Sequence, residues 1–430
     1  MLIEGENADH ISKRVNKHLV IHKKDSKDVR LNKKRFRKRL KRKDKEYTES
    51  ISKNQFKHLS EIELLLSKNK IESKKVCVPK TKYQIKDADF SLYNCAGNVI
   101  DVVLNILNAS SKGSFSLDFN NAQIGFGALY FIDIMGWYKS KERSWRLNFN
   151  NLSKEQTELF LNLRTDKDNE KENTNSHVIN KHIKIERREE QILFSKEYEK
   201  GSKEIRHLVQ KGIAEMTGNL QFKLSQETHS AIHSVISEQF DNIYQHAINT
   251  KHADLCGMFD KKTNTVSILI FNFGPTIADT LRGEKLPLHV RQYRDNLIST
   301  YKQKGFLNLA QSFSEENALT LLALQEGISS KLDADETRGY GLMDFIEHCF
   351  ELSSETKVVI ISGQTTIRIN ETYKIQKKTI LGRERRVLSF NNEGDIMSKP
   401  DKNHVLNHGA FFPGVIIETT IPLNFKNHIA

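Results

Sequence analysis

The spacing of apolar residues changes several times along this chain, and each change of period marks an element. In "NCAGNVIDVVLNILNAS", residues 94–110, apolar positions recur every three or four residues and stop at a small-polar cluster. That spacing predicts a helix with one buried face. "GSFSLDFNNAQ" alternates Phe115, Leu117 and Phe119 with Ser114, Ser116 and Asp118, which predicts a strand running into a turn. A buried helix is expected in "IGFGALYFIDIMGWYKS", a second strand in "SWRLNFNN" and a further helix in "SKEQTELFLNL". Residues 76–164 therefore read as a small α/β domain. Ahead of them, "HLSEIELLLSK" has the pattern of one short amphipathic helix. Behind them, residues 165–192 are highly charged and show core residues at neither period. The stretch 165–194 reads as a charged linker or exposed connection.

Residues 195–430 resume the alternation. "TVSILIFNFGPTIADTL" starts as an alternating strand, becomes continuously apolar, and runs through Asn272 and Gly274 into a helix start. "QEGISSKLDADETRGYGLMDFIEHC" sets Gly339 and Gly341 just before a helical period that begins at Leu342. Glycines there let backbone N–H groups approach a phosphate, with the positive end of the helix facing it. "KVVIISGQTTIRI" and "GVIIETTIPL" read as strands of an antiparallel sheet, with a polar hairpin and loop between them. His404 and His408 lie in that insert, which lacks helical character, and are not read as metal ligands.

One predicted helix carries two stripes. In "ISEQFDNIYQHA", Ile236, Phe240, Ile243 and Ala247 fall on one face. Glu238, Asn242 and His246 fall on a second, roughly 130° away. One face can pack while the other presents a carboxylate, a carboxamide and an imidazole along two turns. A solvated polar face is the plain alternative.

Charge is distributed unevenly. The net charge is +13, and residues 1–75 hold 23 Lys/Arg against 11 Asp/Glu, so nearly all the excess belongs to this one segment. Within it, "RLNKKRFRKRLKRK" makes residues 30–45 a candidate surface for nucleic acid or another anionic partner, through counterion release. A solvated tail is the equal alternative. The run contains a single aromatic residue, Phe36, and so lacks stacking positions for single-stranded bases. The four cysteines, Cys77, Cys95, Cys256 and Cys349, form no C-x-x-C pair and read as reduced thiols. No apolar run is long enough to span a membrane, and the chain reads as cytoplasmic.

The order Glu238-x-x-x-Asn242-x-x-x-His246, strand-Asn272-x-Gly274, a long variable segment, Arg338-Gly339-x-Gly341-Leu342, and closing strands resembles the GHKL ATP-binding superfamily. That superfamily includes histidine kinases, anti-sigma-factor serine kinases, DNA gyrase, mismatch-repair ATPases and gyrase-type chaperones. The resemblance covers roughly residues 195–425. It implies a C-terminal Bergerat-type α/β sandwich with a mixed or antiparallel sheet. The strand–"DFNNAQ"–apolar-helix order of the first domain resembles the STAS-like domains of bacterial regulatory proteins.

The resemblance also assigns roles. Glu238 would orient or deprotonate a water aimed at the γ-phosphate of ATP, and Asn242 would ligate Mg2+ through its carbonyl oxygen. His246 would line the phosphate end, or serve as a structural hydrogen-bonding histidine. Asn272 stands where the family has an adenine-binding aspartate and keeps a carbonyl acceptor without the charge. Thr276 stands where a second glycine is common. Residues 282–337 would form a lid, with Lys331 or Arg338 touching phosphate.

The implied function is a Mg-dependent ATPase that uses lid closure as a conformational switch, with a protein partner or a second copy as its target. Bacterial signalling or phage defence would fit that build. One alternative is an anti-sigma-type serine/threonine kinase acting on a STAS partner. Another is a nucleic-acid-binding protein with a catalytically silent nucleotide site.

Overall fold

The computed structural model describes residues 82–108, 113–120, 122–141, 145–163, 176–184, 203, 205–207, 210, 225–246, 252–283, 286–307, 313–329, 340–380 and 382–423. The basic segment 1–75, including residues 30–45, lies outside the described residues, as do Lys331, Arg338 and Gly339.

The first unit alternates strands and helices: β1 (Lys82–Gln84), β2 (Asp89–Phe90), α1 (Leu92–Asn108), β3 (Gly113–Asp118), β4 (Gln123–Ile124), α2 (Phe126–Lys141), β5 (Trp145–Asn150) and α3 (Lys154–Leu163). Strands β1, β3 and β5 form a parallel three-stranded sheet in that order. The alternation of Phe115 and Leu117 with Ser114 and Ser116 puts one side of β3 in the core, as the period-2 pattern requires. Asp118 ends the strand and turns the chain, its carboxylate accepting from the Asn120 N–H and the Asn151 amide.

The second unit is built on an antiparallel sheet. It contains β6 (Ser176–Lys184), α4 (Gln226–His246), β7 (His252–Asp260), β8 (Thr265–Phe273), α5 (Ile277–Arg282), α6 (Leu288–Gln303), α7 (Glu315–Ala323), α8 (Gly341–Leu352), β9 (Lys357–Ile369), β10 (Gln376–Ile380), β11 (Arg383–Val387) and β12 (Val405–Pro422). The sheet order is β6-β7-β8-β12-β9, and β10 pairs with β11 as a separate hairpin. The α/β class expected from the pattern is therefore present.

One difference concerns the charged connection. Residues 176–184, inside the stretch read as a linker, pair antiparallel with β7 as the edge strand of the larger sheet. An edge strand tolerates Lys and His because one side of it meets water, so its charged composition hid it.

Strand β8 shows how the layers stack. Val266, Ile268 and Ile270 enter a core with α4, α7 and α8, whereas Leu269, Phe271 and Phe273 enter a second core with α1 and α2 of the first unit. Burial on both faces is why this strand reads as a nearly unbroken apolar run. The order of layers is helices, five-stranded sheet, α1 and α2, three-stranded sheet.

Close backbone approach fixes the second contact. A side chain at Gly97 of α1 would bring its Cβ to 2.8 Å from the His408 carbonyl on β12. Arg368 of β9 donates to the Asn94 carbonyl at 2.6 Å, and Asn370 donates to the Tyr93 hydroxyl at 3.1 Å.

The carboxylate of Glu418 on β12 lies within this contact. It accepts from the Gly127 N–H at 2.9 Å, at the start of α2. Burial pushes its pKa from 4.5 to about 7; the Gly127 bond opposes that shift and Asp89 adds to it. Because the folded-state pKa is raised, the folded state holds a proton that the unfolded chain has released. Stability should therefore fall as pH rises from about 4.5 to about 7, then level off. Glu418→Gln keeps an acceptor for Gly127 and removes the titration. It should raise the thermal midpoint at pH 8 and change it little at pH 4.5. An equal shift at both pH values would exclude this carboxylate as the source.

Candidate functional site

Helix α4 starts at a serine cap, the Ser225 hydroxyl accepting from the Thr228 N–H at 3.2 Å. Its apolar stripe is buried through Ile232, Val235 and Ile236. Glu238 and Asn242 are half-buried one turn apart, on the polar stripe that the spacing predicts. They do not face open water. They face α8.

Gly341 is the first residue of α8. A Cβ there would stand 3.0 Å from Glu238 Oε2, 3.2 Å from Asn242 Oδ1 and 3.5 Å from Asn242 Nδ2. Any larger residue would press on both polar groups, and this close approach is the physical reason for the glycine. Two stretches far apart in sequence thus meet at one point. The Asn242 Nδ2 atom is buried there without a hydrogen-bond partner. An orphaned buried amide beside a carboxylate is a group with bonding capacity still to fill.

Tyr340 precedes α8 and offers it no side-chain cap bond, and its carbonyl accepts from the Met343 and Asp344 N–H groups, both at 2.9 Å. Leu342 packs, half-buried, against the core beneath. His246 is the last residue of α4.

Asn272 lies near the C-terminal end of β8, fully buried, opposite Val415 of β12. Its place in the alternation puts it on the face covered by α4 and α8. Beyond it the chain leaves the sheet at Gly274, φ 152°, whose N–H donates to the Pro413 carbonyl at 3.2 Å. On the facing strand Gly414, φ 138°, comes so near that a Cβ there would sit 2.0 Å from the Asn272 carbonyl. The Ser362 hydroxyl joins both sides, donating to the Gly414 carbonyl at 2.9 Å and accepting from the Ile277 N–H at 2.8 Å.

Thr276 caps α5. Its hydroxyl accepts from the Asp279 N–H, and the Asp279 carboxylate accepts from the Thr276 N–H. Thr-x-x-Asp before an apolar run is a readable capping signal.

Two features of the site are not evident from pattern. Gln239 is wholly buried beside Glu238, and neither amide atom of its side chain has a hydrogen-bond partner. A glutamine next to a polar stripe gives no sign of that. Arg386 of β11 binds three carboxylates, those of Glu326, Asp344 and Glu347, and the last two belong to α8. In "GRERRV" nothing in the sequence singles out this arginine. Burial alone would lower its pKa, but the bonds to Glu326, Asp344 and Glu347 raise it, so it stays charged.

A separate open cavity of about 590 Å³ lies among α5, α6 and α7, lined in part by Arg282, Arg294, Lys302 and Glu315. Its cations are already engaged, with Arg282 on Asp279, Arg294 on Asp295 and Lys302 near Glu315. None of its lining residues comes from α4 or α8.

Compared with known protein families, with curated proteins and with solved structures, the chain matches none. The reading of the site therefore rests on its own residues. Among the described residues no helix is long and apolar enough to cross a membrane.

Proposed function

We propose that the chain is a Mg-dependent ATP-binding protein and ATPase of the GHKL type, carrying a STAS-like unit on the back of its sheet. The observation that carries this reading is the meeting of Gly341 with Glu238 and Asn242. The N-terminal end of a helix suits an anion, and the two side chains beside it supply oxygen donors suited to a hard cation.

Glu238 and Asn242 fit a Mg2+ and polyphosphate site, because both carry an oxygen suited to the ion and the unpartnered Asn242 Nδ2 is an N–H donor suited to a phosphate oxygen. Bound Mg2+ would neutralise the phosphates and hold them in register. Asn242 would hold the ion through its carbonyl oxygen. Glu238 would accept a proton from the water whose oxygen bonds to the γ-phosphorus as the bond to ADP breaks. Asn272, on the same face of the sheet, would present its carboxamide to the base. The first unit is anchored through β8 and β12, the strands that bear Asn272 and Gly414. A shift of those strands on nucleotide binding would be felt at α1 and α2. The basic residues 30–45 would add an anionic partner, nucleic acid among them.

Asn242→Ala tests the site by equilibrium titration with ATP in the presence and absence of Mg2+. The expected result is an affinity for Mg-ATP about tenfold to a hundredfold weaker, with an unchanged circular dichroism spectrum. Wild-type affinity in the folded variant would remove Asn242 from the site. Following the γ-phosphate label on the wild-type protein then separates hydrolysis, where label appears as free phosphate, from transfer, where it stays on protein.

A further inference from the structure

We infer that Arg386, on the β10–β11 hairpin, is a positioning residue of the nucleotide site. It holds the first turns of α8 in place and offsets part of the negative charge that they would otherwise present to a polyphosphate. This rests on the nucleotide reading above and adds to it an element, the hairpin, that the reading does not require.

The geometry has two parts. The first is mechanical. The Arg386 guanidinium reaches Asp344 at 2.7 Å and also bonds Glu347 and Glu326. Its backbone N–H donates to the same Glu326 carboxylate at 3.0 Å, and its guanidinium carbon lies 5.7 Å from the centre of the Tyr340 ring. The neighbouring Arg385 donates to the Glu326 carbonyl at 3.1 Å. Tyr340, Asp344 and Glu347 surround the same helix start that brings Gly341 against Glu238 and Asn242. A guanidinium presents its donors in a fixed planar fork, so three carboxylates on it index α8 to the hairpin and to the chain after α7.

The second part is electrostatic. Asp344 lies in the first turn of α8, and Glu347 lies one residue short of a further turn along. Carboxylates at a helix N-terminus favour the helix through its dipole, but they repel an anionic ligand at the same place. Arg386 contributes the opposing charge, with only 18% of its side chain exposed, where solvent screens it least. Without that cation the helix start keeps its N–H groups and loses its welcome for phosphate.

The two parts predict a dependence on ligand charge that a purely structural brace would lack. A brace lost from the fold weakens every ligand alike. A lost cation weakens ATP most, ADP less and adenosine least. The carboxylate side gives the converse: Asp344→Asn removes one repelling charge while Arg386 stays in place, and should favour the more highly charged ligand.

The test measures affinities of the full chain for adenosine, ADP and ATP with Mg2+ present. The proteins are wild type, Arg386→Gln, Arg386→Lys and Asp344→Asn. Arg386→Gln is expected to weaken ATP about tenfold while leaving adenosine within about twofold. Arg386→Lys should recover part of the ATP affinity, since it restores charge without the fork. Asp344→Asn should tighten ATP by roughly threefold and leave adenosine unchanged. If Arg386→Gln does not fold, Asp344→Asn alone carries the test, because its side chain is partly exposed. Equal losses for adenosine and ATP in Arg386→Gln, or an unaltered ATP affinity in Asp344→Asn, would overturn the inference. Absence of ATP binding by the wild-type chain would instead overturn the nucleotide reading, and this inference with it.

Discussion

Glu238→Ala is expected to bind ATP about as well as wild type and to release phosphate about a hundredfold to ten-thousandfold more slowly. That range is the usual effect of removing a positioned general base. The expectation follows from where the carboxylate lies. Glu238 is half-buried, with Oε2 3.0 Å from where a Cβ of Gly341 would stand at the start of α8, while Asn242 one turn on would keep the oxygen proposed for the metal ion. On the proposed reading, loss of Glu238 would remove proton transfer and leave the cradle. A solvated helix face would respond differently. Substituting one exposed glutamate changes stability by no more than about 0.5 kcal/mol and leaves turnover alone. Steady-state phosphate release and nucleotide affinity, measured on the same preparations, separate the cases, and wild-type turnover in the variant would assign Glu238 to the scaffold.

The second large effect concerns stability. Phe131→Ala should destabilise the chain by about 3–5 kcal/mol, the usual range for deleting a buried phenyl ring. Phe131 is fully buried on α2, with its ring 5.4 Å from that of Phe271 on β8 and 5.6 Å from that of Phe412 on β12, both in edge-on geometry. Its loss opens a cavity between the first unit and the sheet of the second. Because the core is shared, the two units should unfold in one transition. Both tryptophans, Trp137 and Trp145, belong to the first unit, so their fluorescence reports on that half and far-ultraviolet circular dichroism on the whole. The two probes should move together along urea, in wild type and variant alike. Two separated transitions would show that the contact does not couple the units.

Pattern reading served best where one face of an element decides its composition. Strand β9 occupies "KVVIISGQTTIRI" from end to end, the helices around Val99 and Phe345 lie where their periods place them, and the helix around Phe131 fills its apolar run. It served less well for β6, whose lysines and histidines suit an edge and resemble a linker. It gave no partner for the apolar faces of α1 and α2, since periodicity reports burial and is silent about what does the burying. Glu418 is the one charged residue in "GVIIETTIPL", and only the fold shows that it meets the N-terminus of α2. At the candidate site the residue types and their order were legible. The contact of Gly341 with Glu238 and Asn242 was not, because it depends on how α4 and α8 pack. Arg386 was missed for a related reason, since its three carboxylates come from two separate parts of the chain.

Whether a nucleotide binds where α4 and α8 meet is decided by the structure of the full chain with Mg2+ and a non-hydrolysable ATP analogue. The polyphosphate is expected at the first turn of α8 beside Gly341, with Asn242 in contact with the metal ion and the base directed toward Asn272. An analogue bound in the cavity among α5, α6 and α7, or anywhere else away from Glu238 and Asn242, would contradict this placement.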